Sequence, residues 1–175
     1  EFSTKYSLYE SCSELILMLL KKVSAFIICL IIPLAVGGLS GYLTFGDIQT
    51  WYVTLNKPSF NPPNWLFGPV WTSLYALMGV SLFMVWNRQR NWLRQKALIV
   101  FFVQLFLNFW WSLIFFKFHL LFAAALEIIL LWATIIYMLS CFKQVKPLAA
   151  WLNIPYLLWV SFASVLSAAI WYINR

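Results

Sequence analysis

Apolar runs long enough to cross a bilayer recur five times in this chain, at about Val23–Tyr42, Leu66–Trp86, Ala97–Phe116, Leu120–Cys141 and Leu148–Tyr172. A helix needs about 20 apolar residues to span the hydrocarbon core, and it satisfies its own backbone hydrogen bonds where lipid cannot. Only 10% of the residues are charged, against roughly 25% in a soluble domain. That is too little charge to solvate a globular surface. The reading is an all-α integral membrane protein, a bundle of five transmembrane helices in the lipid bilayer.

The runs lie within residues 23–175, and residues 1–22 are expected to be a leader or a cytoplasmic N-terminal segment. Residues 1–17 are more polar than the first apolar run, and Met18 would suit a natural start, so they carry no functional argument here. The connectors 87–96, 117–119 and 142–147 are short, which makes sequential helices antiparallel neighbours. Basic residues divide unequally between the two ends. Lys5, Lys21, Lys22, Arg88, Arg90, Arg94, Lys96, Lys143 and Lys146 fall on one side, and Lys57, Lys117 and Arg175 on the other. The positive-inside rule then places the N-terminus in the cytoplasm and the C-terminus outside a bacterial membrane.

The net charge of +7 does not point to nucleic acid, because the basic residues alternate with apolar runs instead of forming one face. Cys12, Cys29 and Cys141 are widely spaced and make neither a metal motif nor a disulfide framework. His119 stands alone in a connector, so no metal or haem-ligating role is expected of it. Pro33 and Pro155 fall inside spans, where they should kink or loosen the helix. Gly37 and Gly41 make a GxxxG step, which suits close packing within one protomer or in a homodimer. No internal repeat of the kind that builds duplicated transporters is visible.

The connector over about 43–65 is the one long interruption. It contains Pro58, Pro62 and Pro63, which exclude a regular helix throughout. Loops of this length are usually functional or disordered. Its aromatic residues Trp51, Tyr52, Phe60 and Trp65 fit two readings, an ordered lid packed on the bundle and an interfacial aromatic belt. The later spans carry side chains at helical spacing. Trp71 and Tyr75 share a face of the second span, Gln104, Asn108 and Trp111 a face of the third, and Trp159, Ala163 and Ser167 a face of the fifth.

Glu127 is the one acid inside a span. A carboxylate in lipid costs at least about 3 kcal/mol on insertion scales, so it should face the interior. Asn108, Gln104 or a basic ligand could partner it. No catalytic triad, carboxylate pair or Gly-rich phosphate loop is present. The residues describe an aromatic interior with few polar groups, suited to flat apolar ligands, beneath a proline-rich loop able to roof a cavity.

The run WYVTLNKPSFNPPNWLFGPVWTSLYALMG (51–79) resembles the signature of the tryptophan-rich sensory proteins, also called translocator proteins or peripheral benzodiazepine receptors. LNFWWSLIFF (107–116) is similar to the family's third-helix motif, and PLAAWLNIPYLLWVSFASVLSAAIWYIN (147–174) to its fifth helix. The resemblance implies a five-helix bundle with a ligand cavity capped by the first loop. It implies binding of porphyrins and of benzodiazepine- and isoquinoline-type compounds, with protoporphyrin IX or haem a ligand and no cofactor required. The function implied is transport, sensing or regulation of tetrapyrroles. Carried over by resemblance, the ligand-binding positions are Tyr52, Pro62, Trp71, Tyr75, Asn108, Trp111, Glu127, Trp159 and Ala163. Trp71 and Trp159 match the pair tied to light- and oxygen-dependent protoporphyrin breakdown, which makes a photocatalyst the alternative, with a membrane interaction scaffold the third.

Two departures stand out. Ala168 and Ala169 occur where animal relatives carry tyrosine. A cholesterol-type pattern can be traced through Leu166, Tyr172 and Arg175, but such patterns are weak, and the displaced tyrosine counts against specific sterol binding. Ser112 and Leu113 stand where many relatives have prolines after the third-helix tryptophan, which leads to the expectation of a straighter helix.

Overall fold

A computed structural model describes the backbone of residues 2–175 and the side chains from Glu14 onward. The side chains of Lys5 and Cys12, and most of the expected leader, lie outside that description. Helix α1 (Phe2–Thr50) is followed by a short 3-10 turn (Tyr52–Thr54), then α2 (Asn64–Trp86), α3 (Trp92–Ser112), α4 (Leu121–Val145), α5 (Pro147–Trp151) and α6 (Ile154–Ile173). Five segments are long and apolar enough to cross a membrane, α5 and α6 together making the last.

The bundle is built for lipid. Its outer surface exposes Ile28, Ile31, Phe102, Phe106, Ile129, Leu130, Leu158 and Val165. The polar side chains go inward: Ser81, Gln104, Asn108, Asn153 and Ser167 are all buried. Apolar burial gives no preference for an interior over lipid tails. Helix association must therefore come from close packing and interhelical hydrogen bonds.

Both appear between neighbours. The ring of Tyr75 on α2 occupies the space where a Gly37 side chain would stand on α1. In return, a Cβ on Gly79 of α2 would lie 2.7 Å from the Leu30 Cα of α1. The GxxxG step is thereby divided, because Gly38 and Gly41 have no neighbouring atoms within 4 Å of their would-be Cβ positions.

The helices pack in the order α2–α1–α3–α4–α6, with α1 along α2, α3 along α4 and α4 along α6. Helix α2 meets α5 but makes no comparable backbone contact with α6. At the end carrying Arg94 and Lys146, Asn153 closes this gap by donating from Nδ2 to Ser81 Oγ at 2.7 Å. Toward the other end only side chains fill it.

Two local features depart from the expectations, the loop length and the third helix, while the prolines are placed more closely. Helix α1 continues to Thr50, so the ordered loop is shorter than 43–65. Pro33 sits inside α1 without ending it, while the fifth span breaks at residues 152–153, which puts Pro155 in the first turn of α6, where a missing N–H costs nothing. The third helix does not stay regular: it ends in a π-helical turn, Leu113–Lys117, despite the absence of proline. The extra residue of a π-turn rotates the side chains beyond it.

Candidate functional site

The gap between α2 and α6 holds a small cavity of about 20 Å³, far below the roughly 300–1,000 Å³ typical of occupied ligand sites, so its walls lie nearly closed on one another. Phe67 and Trp71 come from α2, Trp111 from α3 and Trp159 and Ala163 from α6. Phe115 and Phe116 come from the π-turn, and Tyr52 from the lid. Ring contacts join these walls. Phe67 meets Trp159 edge-on at 5.9 Å, Trp111 packs on Phe115 at 5.5 Å, and Tyr52 meets Phe116 at 5.4 Å between centroids.

The π-turn explains how two adjacent phenylalanines line one cavity. In a regular helix, successive side chains diverge by about 100°. The wider turn brings Phe115 and Phe116 both to the wall. Sequence spacing singles out neither of them. Phe67, four residues before Trp71, and Leu166 and Ile170, seven residues after Trp159 and Ala163 respectively, follow from the same helical spacing, although they are not among the expected site residues. Ser167 is legible as the continuation of the Trp159–Ala163 face.

Below the cavity runs a buried chain of polar groups. Tyr75 donates its hydroxyl to Asn108 Oδ1. Asn108 donates from Nδ2 to the Tyr156 hydroxyl at 3.2 Å, and Tyr156 donates onward to Gln104 Oε1 at 2.8 Å. Trp71 stacks on Tyr75 at 5.5 Å and meets Tyr156 edge-on at 6.3 Å. Tyr75 and Asn108 are thus supports of the cavity floor rather than part of its wall. Tyr156 completes the chain, and it is hidden in the sequence because it lies in an almost wholly apolar run.

Several buried groups lack partners. The indole Nε1 atoms of Trp111 and Trp159 and the Ser167 hydroxyl have no hydrogen-bond partner, and all three residues line the cavity. Unmet buried donors are costly unless a ligand or water accepts from them. Both Glu127 oxygens are likewise buried and unpartnered. Of the partners considered for Glu127, Asn108 is engaged with tyrosines through both amide atoms, while Gln104 accepts from Tyr156 at Oε1 and its Nε2 is buried without a partner. Glu127 is not among the lining residues.

The loop over the cavity is ordered by specific bonds. Tyr52 is 3% exposed and donates to Asn61 Oδ1 at 2.8 Å. Asn61 in turn donates from Nδ2 to the Pro62 carbonyl at 2.9 Å, so Pro62 belongs to the lid's internal bracing and is not a wall residue. Asn174 of the chain's end accepts from the Asn56 N–H at 3.0 Å and donates to the Asn56 carbonyl at 2.8 Å. Trp65, by contrast, is 72% exposed, as an interfacial belt residue would be. Tyr52 is packed as a lid residue would be, whereas Trp65 is left on the surface.

At the base of the lid, Lys117 pairs with Asp47 at 3.0 Å. His119 lies 3.5 Å from the same carboxylate and stacks on Trp51 at 4.0 Å. His119 adopts φ 58°, uncommon for a side-chain-bearing residue. Its neighbours give it a structural part, holding the α3–α4 turn against the end of α1.

The arrangement sets indole and phenyl rings around one small, nearly closed space, with unpartnered Trp111 and Trp159 N–H groups and the Ser167 hydroxyl among its walls. A family model described as the TspO/MBR family matches residues 29–172. The chain is 42% identical over 142 residues to the Tryptophan-rich protein TspO of Archaeoglobus fulgidus, covering 81% of this chain and 91% of that one. It is 38% identical over 157 residues to the protein of the same name from Chlorobaculum tepidum, covering 88% and 98%. It is 36% identical over 133 residues to the human Translocator protein, covering 74% and 78%.

Proposed function

The chain belongs to the TspO/MBR family of multi-pass membrane proteins, and from that premise we propose that it binds porphyrin-type tetrapyrroles in the α2–α6 cavity, acting in their transport, sensing or regulation. The observation that carries the reading is the enclosure of one cavity by Trp71, Trp111, Trp159, Phe115 and Phe116. Flat aromatic walls favour a flat conjugated ligand through offset and edge-on stacking. The unpartnered indole N–H groups and the Ser167 hydroxyl suit the carboxylates at a porphyrin's edge. A macrocycle is larger than a single drug-sized ring system, so its entry requires the lid to lift or the wall rings to turn.

Titration of the purified protein with protoporphyrin IX in the dark tests this reading, followed by porphyrin absorbance and tryptophan fluorescence. Saturable binding supports it, and its absence at micromolar porphyrin removes it.

A second reading has its own support. Trp71 and Trp159 line the same cavity, where a bound porphyrin would touch both. Indole is readily oxidised, so with light as the energy source and dioxygen as oxidant the pair would promote porphyrin breakdown. Illumination of the saturated complex should then yield a new absorbance product. Equal degradation rates after both residues are changed to Phe would remove this activity without touching the binding reading. The unequal division of basic residues between the two ends supports the N-terminus-inside orientation, with Arg94 and Lys146 toward the cytoplasm.

A further inference from the structure

Arg94 is the charged residue that the bundle buries, at 6% exposure. It stands in the first turn of α3, where its backbone N–H bonds to Asn91 Oδ1 at 2.8 Å. Its guanidinium carbon lies 4.9 Å from the centre of the Trp86 ring. Its Nε has no hydrogen-bond partner. Both ion pairs among the described residues belong to Asp47, at the opposite end of the bundle. Glu14, the described acid toward the Arg94 end, is exposed and not paired with it.

A buried cation without an anion is strongly unfavourable. The first turn of a helix worsens it, because the positive end of the helix dipole lies there. The same two features together favour an anion.

The surroundings indicate which anion. Trp86, Trp92 and Trp151 are exposed at this end, and exposed indoles at the ends of spans sit at headgroup level. Lys96 Nζ lies 5.5 Å from the Trp92 ring and 5.0 Å from the Tyr137 ring. Arg88, Arg90, Lys143 and Lys146 belong to the same end. Ile99, Phe102 and Phe106 then expose an apolar path along α3 into the membrane.

We propose that Arg94 binds the phosphate of an anionic membrane lipid, with the headgroup against Trp86 and the start of α3. The planar guanidinium can offer two parallel N–H donors to one phosphate. Basic recesses between transmembrane helices have this chemistry. A choline headgroup would bring a further cation into the basic cluster, so phosphatidylglycerol is preferred over phosphatidylcholine. The site is separate from the aromatic cavity and does not depend on what that cavity binds.

The test uses the delipidated protein in maltoside micelles. Short-chain phosphatidylglycerol, short-chain phosphatidylcholine and inorganic phosphate are titrated in turn. Thermal unfolding and native mass spectrometry of retained lipid are the readouts. Saturable binding of phosphatidylglycerol is expected, about ten-fold or more tighter than phosphatidylcholine, and Arg94→Met should lose about ten-fold or more of it. Arg90→Met, on an exposed residue, should stay within about two-fold, and Arg94→Lys should fall between. Unchanged affinity in Arg94→Met overturns the proposal. Inorganic phosphate matching the lipid overturns the lipid assignment in favour of a soluble oxyanion. If Arg94→Met does not fold, the wild-type series decides, and equal binding of the two lipids overturns the proposal.

Discussion

Tyr75 of α2 donates a hydrogen bond from its hydroxyl to Asn108 Oδ1 of α3, and this bond fixes the floor on which Trp71 stacks. The ring that makes the bond is seated against Gly37 of α1. Three helices therefore meet at one tyrosine, directly beneath the cavity.

Removing the two partners should have unequal effects. Tyr75→Phe deletes one donor and keeps the ring, while Asn108→Leu removes the acceptor for Tyr75 and the donor to Tyr156, whose hydroxyl keeps its bond to Gln104. Interhelical hydrogen bonds in membranes contribute roughly 0.6 kcal/mol on average and up to about 1.7. Tyr75→Phe should cost less than about 1 kcal/mol and Asn108→Leu about 2, because unmet buried groups carry their own penalty. Reversible unfolding in mixed micelles measures both. Equal costs would contradict the connected chain.

The glycines separate by position. Gly37→Leu and Gly79→Val should each destabilise by about 1–3 kcal/mol through overpacking, since each would drive a side chain into its neighbour. Gly38→Ala and Gly41→Ala should remain within about 0.5 kcal/mol, as substitutions into open space do. Thermal unfolding of the four variants decides it. A large loss at Gly41 would instead point to a partner on that face.

Much of the architecture is legible because lipid imposes a simple code. Apolar runs of spanning length, short polar connectors and a proline-rich loop each have one main physical cause. The faces Trp71–Tyr75, Asn108–Trp111 and Trp159–Ala163 can be read because helical periodicity survives in a bilayer. Phe115 and Phe116 cannot, because a π-turn without proline leaves no compositional mark. Trp65 is exposed while Tyr52 is packed, a distinction that residue type alone does not make, since aromatic residues serve both interface and roof and only packing separates them. The division of Gly37 from Gly41 likewise depends on which helix arrives, and no spacing rule encodes that.

Glu127 should behave as a group retained for something other than stability. Its oxygens are buried without partners, so Glu127→Leu should leave the empty protein as stable or raise its stability, as replacing uncompensated buried charge commonly does. A loss of more than about 2 kcal/mol in micelles would show an unseen partner. Ligand binding measured on the same variant separates a functional part from a merely tolerated one.

The lid should govern exchange more than affinity. Asn174→Ala removes both of its bonds to Asn56. Porphyrin association and dissociation should both quicken, by roughly three- to ten-fold, as the loss of one or two exposed hydrogen bonds allows. Equilibrium affinity should change little. Stopped-flow fluorescence reads the two rates, and unchanged rates would mean that ligand passes between helices instead of beneath the loop.

The most direct measurement is a dark titration of protoporphyrin IX, read from porphyrin absorbance, on the wild type and on the Trp71→Phe, Trp159→Phe double variant. The expected result is saturable binding to the wild type and a loss of about ten-fold or more in the variant, because Phe keeps a stacking ring but removes the Trp159 Nε1–H donor, and a hydrogen bond to a charged group contributes about 1.5–3 kcal/mol. Saturable binding of unchanged affinity in the double variant would place the porphyrin outside the α2–α6 cavity and contradict the account.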